Sequence, residues 1–182
     1  MNSGPGLPGI SGVPMGKRMD YMTDREVGHV LAALLPQNRL VCEVMLHTGL
    51  RVDDVLHLRT DEVKRQFYIT EHKTGKRKRV NLTQDLVDRI RAQAGDEWAF
   101  PGRDPEQPKT RQAVWYDLKR ASRAFRVPAR VGPHSFRKCY AVSHFSDTKD
   151  LGKVQRALNH DRPEVTMIYC MADKLRTNFT DS

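Results

Sequence analysis

The sequence predicts a mainly α-helical domain with one small antiparallel β-sheet, which places it in the α+β class. Apolar residues recur at helical spacing through most of the chain after residue 20. A single segment, residues 67–82, is instead rich in β-branched and aromatic residues and alternates around a glycine. The 182 residues suffice for one domain with its own hydrophobic core.

The N-terminal part of the chain predicts a flexible lead followed by two helices. Residues 1–20 are rich in glycine and proline and show no helix or strand period. Thr23 to Glu26 has the capping-box pattern that begins a helix, and Pro36 is expected to end that helix. A second helix is predicted over 38–47, and Gly49 is its expected C-terminal stop.

The pattern changes after a short helix that is expected to follow Arg51. Residues 67–70 and 79–82 are two short alternating runs. They predict strands of a hairpin or of a three-stranded sheet. Gly75 lies between them and is available for a positive φ.

The remainder of the chain is predicted to be helical. Thr83 caps a helix over 84–94, and the sequence GRDPEQPKT then forms a loop. Further helices are expected over 110–126, 134–145 and 150–158, and a last one begins near Asp161 and carries Tyr169.

Composition limits the cellular setting and the partner. The formal net charge of +9 favours a polyanionic partner. Three widely spaced cysteines without a CxxC pair indicate a reducing compartment, no disulfide framework and no zinc site. The sequence shows neither an apolar run of about 20 residues nor a secretory signal, so we expect no membrane span and a cytoplasmic location.

Six scattered residues have side chains suited to attack on a phosphodiester. Two arginines can hold non-bridging phosphate oxygens, lysine and histidine can move protons, and a tyrosine can act as the nucleophile. These candidate catalytic residues are Arg51, Lys73, His134, Arg137, His160 and Tyr169.

The order and local sequence of these six residues resemble the catalytic domain of the tyrosine recombinase (phage integrase) family. TGLRVDDVLHL around Arg51 is similar to the family's first arginine box, and GPHSFRK around His134 and Arg137 is similar to its H-x-x-R box. LNH, ending at His160, stands where the family usually has Leu-Gly-His. The chain departs from the family at Asp54, usually glutamate, at Lys138, commonly histidine, and at Asn159, which replaces glycine.

The resemblance implies a mechanism for DNA strand cleavage and rejoining. Arg51 and Arg137 would clamp the phosphate, and Asp54 would hold the guanidinium of Arg51. Tyr169 would form a 3′-phosphotyrosyl link while Lys73, with Lys76 as the alternative, protonates the 5′ oxygen. No metal or nucleotide cofactor is implied. The expected DNA-contacting residues are Lys76, Arg77, Lys78, Arg79 and Lys138.

The resemblance also implies partners and a domain organisation. The expected substrate is double-stranded DNA, bound by a homo-oligomer, a tetramer in this family. Residues 21–182 would be the catalytic domain. Relatives usually carry a helical core-binding domain before it, so the sequence predicts either a fragment of a longer integrase or a short member. The setting would be a prokaryotic cell, at the nucleoid, or a viral or other mobile element.

Three other interpretations remain open from the sequence. One is a DNA-binding relative that has lost catalysis. Another is a type IB topoisomerase-like or telomere-resolving enzyme, which shares the arginine, lysine, histidine and tyrosine chemistry. The last is a helical domain whose basic side chains are simply solvated.

Overall fold

The computed structural model describes residues 21–159 and Thr166. Within residues 21–159 the chain forms seven α-helices, one short 3-10 helix at Thr60–Glu62 and two β-strands. In chain order the elements are α1 (Asp24–Ala33), α2 (Pro36–Thr48), α3 (Val52–Leu56), β1 (Gln66–Thr70), β2 (Arg77–Asn81), α4 (Gln84–Gln93), α5 (Arg111–Ala124), α6 (Pro133–Thr148) and α7 (Leu151–Leu158). The predicted mainly helical fold with a small antiparallel sheet is confirmed.

Local signals in the sequence set most of the helix ends. The capping box at Thr23 is formed in both directions with Glu26. Pro36, however, is the first residue of α2 rather than the end of α1, which stops at Ala33. Proline is well suited to this position because the first helical N–H has no partner within the helix. Gly49 ends α2 in the left-handed conformation with φ 66°, as predicted.

The sheet is a two-stranded antiparallel hairpin in the described part of the chain. Phe67 pairs with Val80 and Ile69 with Lys78. The second strand begins at Arg77, two residues before the predicted start. Phe67 and Val80 are buried and their sequence neighbours are exposed, because alternate side chains of a strand point to opposite faces. Lys78 therefore shares the inner face of the hairpin with Val80.

One core holds these elements together. Helix α2 packs against α3, α4 and α6, and α1 packs against α5. Leu50, Leu118 and Phe136 are completely buried in this core, and full burial of such a side chain contributes about 1.5–3 kcal/mol. A smaller cluster around Ala141 and Leu158 joins α6 to α7. No described helix has the length and apolarity required to cross a membrane.

Candidate active site

A cavity of about 920 Å³ opens where α3, the hairpin turn and the N-terminal ends of α5 and α6 meet. Its wall contains four of the six predicted catalytic residues: Arg51, Lys73, His134 and Arg137. These residues come from three separate segments of the chain, since His134 and Arg137 both belong to α6. The fold therefore brings together side chains that the sequence places up to 86 positions apart, from 51 to 137.

Arg51 stands at the N-terminal end of α3, just beyond the glycine that ends α2. Its backbone is extended, with φ −73° and ψ 151°. Gly49 turns the chain with a positive φ, and a Cβ at this position would collide with the ring of Tyr140. Glycine is therefore required here both for its conformation and for close packing. The turn sends Arg51 into the cavity instead of continuing α2.

The partner of Arg51 in the described residues is Glu71 and not Asp54. The Arg51 guanidinium donates to Glu71 Oε2 over 2.8 Å. Asp54 Oδ1 instead accepts the backbone N–H of His72 at 2.9 Å. The predicted role of Asp54 is corrected for a geometric reason. The end of β1 lies beside α3, so Glu71 reaches the guanidinium while Asp54 holds the backbone of the hairpin.

The hairpin turn presents Lys73 to the cavity. The Gly75 N–H donates to the Glu71 carbonyl at 2.8 Å, and Gly75 has the predicted positive φ, 65°. Lys73 is exposed and lines the cavity. Lys76 is also exposed but is not part of the lining. Of the two candidate lysines, Lys73 is therefore the one that lines the cavity.

The basic residues of β2 divide between two faces. Arg77 lies over the ring of Tyr68 at 4.3 Å and Arg79 donates to Gln66, both on the exposed face. Lys78 points inward and its Nζ donates to the Thr48 carbonyl at 3.0 Å. Burial, and then the charge of Arg137, lower the pKa of Lys78 to about 8. This differs from the predicted place of Lys78 on the DNA-contacting surface, and the reason is the two-residue period of the strand.

His134 lies in the first turn of α6, where the charges of four cationic residues act on it: Arg137, Lys138, Arg51 and Lys73. Burial of the ring and then the charges of Arg137 and Lys138 lower its pKa from 6.5 to about 4. The side chain nevertheless keeps access to solvent at the cavity. The imidazole is therefore neutral at neutral pH and can accept a proton.

Arg137 is the most deeply placed of the four, with 1% of the residue exposed. Its guanidinium donates to the carbonyl of Gly49 and, at 2.6 Å, to the carbonyl of Leu158. The first carbonyl ends α2 and the second ends α7. One arginine thus joins the helix ends that lead into Arg51 and into the segment after Leu158.

The chain turns at Asn159, as the sequence predicts. Asn159 caps α7 in the left-handed conformation, with φ 50° and ψ 37°, which asparagine adopts more readily than most residues. The predicted sites His160 and Tyr169 lie outside the described residues. Beyond Asn159 the structure describes Thr166, which is helical and 1% exposed.

Two parts of the site were not predicted from the sequence. Glu71 is the single acidic residue in the segment 66–81. Its position among basic residues is the feature of the sequence that could have identified it as a partner of an arginine. The other part is the start of α5, which contributes a further wall of the cavity. That wall consists of Arg111, Gln112, Trp115 and Tyr116, and Arg111 lies 3.6 Å from Asp53 of α3.

Comparison with known proteins supports the fold and the family. The chain is 28% identical over 135 residues to a probable integrase/recombinase, YoeC, of Bacillus subtilis, covering 71% of this chain and 74% of that one. It is 28% identical over 157 residues to the tyrosine recombinase XerD of Pseudomonas putida, covering 79% of this chain and 52% of that protein. The chain thus spans about half the length of XerD.

Solved structures of low sequence identity share the fold. A lambda integrase dimer bound to a COC′ core site superposes with a TM-score of 0.72 at 19% identity, covering 88% of this chain and 50% of that one. The XerH site-specific recombinase in a post-cleavage complex with palindromic difH superposes with a TM-score of 0.71 at 19% identity, covering 90% of this chain and 52% of that one.

The family assignment rests on a match over most of the chain. The model of the phage integrase family matches residues 20–176. This range contains all six residues predicted to act on the phosphate, including the two outside the described residues. The chain belongs to the phage integrase family.

Proposed function

We propose that this chain cleaves and rejoins DNA strands as the catalytic domain of a site-specific recombinase. The observation that carries the proposal is the meeting of Arg51, Lys73, His134 and Arg137 around one cavity. The names of the relatives, XerD and integrase/recombinase, support the same reaction class. The proposed domain comprises residues 21–182.

The two arginines act as a clamp for the phosphate. Arg51 precedes α3 and Arg137 lies in the second turn of α6, so their guanidinium groups come from different helices and can hold different non-bridging oxygens. Negative charge on these oxygens grows in the transition state. Removing one preorganised donor of this kind lowers the rate by about 10²–10³-fold.

Tyr169 is the proposed nucleophile. Its phenol oxygen bonds to phosphorus while its proton passes to His134, which is neutral because its pKa is lowered to about 4. The bond from phosphorus to the 5′ oxygen breaks, and Lys73 protonates that oxygen. The 3′ phosphate remains esterified to Tyr169, and His160 donates to a phosphate oxygen.

The reverse reaction rejoins the DNA. A 5′-hydroxyl from the same or another strand attacks the phosphotyrosyl bond and releases Tyr169. The energy of the phosphodiester is kept in the protein–DNA bond, so the reaction consumes no nucleotide.

The hairpin and the start of α6 supply the proposed DNA-contacting surface. Lys76, Arg77 and Arg79 are exposed on the hairpin and are suited to phosphate contacts. Lys138 adds positive charge beside His134. The lambda integrase structure is a dimer bound to a core site, and the XerH structure is bound to a palindromic site. We therefore propose that several copies of this chain, a tetramer for strand exchange, act on duplex DNA in the cytoplasm.

Strand exchange between two labelled duplexes tests this function. Both duplexes carry the same candidate attachment site, and each carries a different dye. Chimeric strands that require Arg137 are the expected product. Relaxation of a supercoiled plasmid without chimeric strands would instead indicate a type IB topoisomerase-like enzyme. Salt-sensitive DNA binding with neither reaction would indicate a silent DNA-binding relative.

A further inference from the structure

Glu71 is a buried carboxylate directly beneath the candidate site. Its side chain is 0% exposed, whereas that of its partner Arg51 is 21% exposed. A buried carboxylate is stable only if cations or hydrogen-bond donors compensate the lost hydration. The groups that contact Glu71 therefore identify the parts of the site that depend on it.

One oxygen of Glu71 holds two parts of the site. Oε2 accepts from the Arg51 guanidinium at 2.8 Å and from the Thr74 hydroxyl at 2.7 Å. Arg51 belongs to the predicted phosphate clamp, and Thr74 follows Lys73 in the hairpin turn. The same carboxylate thus contacts the clamp and the turn that carries the predicted proton donor.

The backbone of Glu71 closes that turn as well. Its carbonyl accepts from the Gly75 N–H at 2.8 Å, and its N–H donates to the Lys76 carbonyl at 3.0 Å. Lys73 lies within the turn that these two hydrogen bonds close. A change in the position of Glu71 would therefore move Lys73 and Arg51 together.

Glu71 is also a negative charge that interacts with both arginines. Burial raises the pKa of Glu71. The hydrogen bonds from Thr74 and Arg51 and the charges of Arg51 and Arg137 together lower it by more, so the net shift is downward. The carboxylate is therefore ionised at neutral pH. Its Oε1 is buried and has no hydrogen-bond partner among the described residues. Solvent therefore does not screen the attraction between the carboxylate and these cations.

We propose that Glu71 is a positioning residue that fixes the Arg51 guanidinium and the Lys73 turn relative to each other. This inference rests on the proposed function, because it concerns the reaction that Arg51 and Lys73 serve. Glu71 itself does not touch the DNA. It holds the phosphate clamp and the proton donor as one unit before DNA binds, which is the state in which both are effective.

The test compares Glu71→Gln with a matched control, Glu97→Gln. Glu97 also pairs with an arginine, Arg59, at 2.6 Å, but at the exposed surface. We expect Glu71→Gln to slow covalent adduct formation by about 10- to 100-fold with DNA affinity within about twofold, because misplacement of reacting groups by about 1 Å has an effect of this size. Glu97→Gln is expected to leave the rate unchanged. A wild-type rate in Glu71→Gln would overturn the proposal.

A sulfur-substituted substrate separates positioning from general destabilisation. When sulfur replaces the 5′-bridging oxygen, the leaving thiolate needs no proton, so loss of the Lys73 position matters less. The defect of Glu71→Gln should therefore shrink on this substrate, as should that of Lys73→Ala. An equal defect on both substrates would contradict the link to Lys73.

A second variant and an activity-free measurement complete the test. Thr74→Val removes one donor and keeps the carboxylate, and a smaller defect with the same sulfur dependence is expected. Amide hydrogen exchange at Gly75 and Lys76 should accelerate in Glu71→Gln and not in Glu97→Gln.

If the wild type forms no adduct, the proposed function fails while the exchange measurement still tests the role of Glu71. If the wild type is active and neither rate nor exchange changes, the Glu71 proposal alone fails.

Discussion

Arg137 and Leu158 are joined by a hydrogen bond of 2.6 Å, from the guanidinium to the backbone carbonyl that ends α7. A second bond links the same guanidinium to the carbonyl of Gly49 at the end of α2. Arg137 is 1% exposed, so these bonds lie in the interior. Arg137 therefore has a structural task in addition to its proposed contact with phosphate.

Arg137→Lys should lower stability as well as cleavage. A lysine ammonium is a compact donor that cannot reproduce the planar fork of arginine, so at least one buried carbonyl loses its partner. An unsatisfied buried group costs about 1–3 kcal/mol, measurable by urea unfolding. Arg51→Lys, at the more exposed arginine, should reduce cleavage with a smaller stability loss. Wild-type stability for Arg137→Lys would refute the structural role.

Gly49→Ala should be more damaging than Gly75→Ala. Both glycines have nearly the same positive φ, 66° and 65°, so each substitution carries about 1–2 kcal/mol of backbone strain. Gly49 is packed against Tyr140, whereas Gly75 has open space around its Cβ position. Overpacking should add about 1–3 kcal/mol at Gly49 alone. Equal losses in urea unfolding would show that the contact with Tyr140 has no consequence.

His134 should titrate near pH 4 rather than near 6.5. Between these values the unfolded state binds a proton that the folded state does not, so stability falls as pH decreases from 6.5 towards 4. His134→Gln should lack this part of the pH dependence. An NMR titration of the ring measures the pKa directly, and a midpoint at 6.5 would contradict the lowering of this pKa by burial and the neighbouring cations.

Arg79 and Lys78 should differ in their effect on DNA binding, although they are adjacent. Each lost phosphate contact lowers the slope of log binding constant against log salt by about 1. Arg79→Gln should show this change because Arg79 is on the exposed face. Lys78→Gln should leave the slope unchanged, since Lys78 donates to the Thr48 carbonyl. Equal changes would place both side chains on the DNA surface.

The features that the sequence predicts correctly depend on local chemistry. The capping box at Thr23, the positive φ of Gly49 and Gly75, and the left-handed turn at Asn159 each follow from one residue and its neighbours. Such preferences act within a few positions of the chain and are therefore readable without the fold.

The features that were missed depend on contacts between distant segments. Arg51 pairs with Glu71, 20 positions away, because β1 ends beside α3, and no local pattern gives this distance. Lys78 is a different case. The buried Val80 two positions later was sufficient to place Lys78 on the inner face, but the run of basic residues favoured a surface interpretation.

Capture of a covalent protein–DNA adduct tests the central claim most directly. The chain is incubated with nicked duplexes cut from candidate attachment-site DNA, so that the cleaved 5′ fragment diffuses away and rejoining is prevented. The products are separated on a denaturing gel beside Tyr169→Phe and the control Tyr116→Phe. Tyr116 also lines the cavity but is not the proposed nucleophile. The account predicts an adduct with the wild type and Tyr116→Phe and none with Tyr169→Phe. An adduct that persists in Tyr169→Phe, or none with the wild type despite DNA binding, would contradict it.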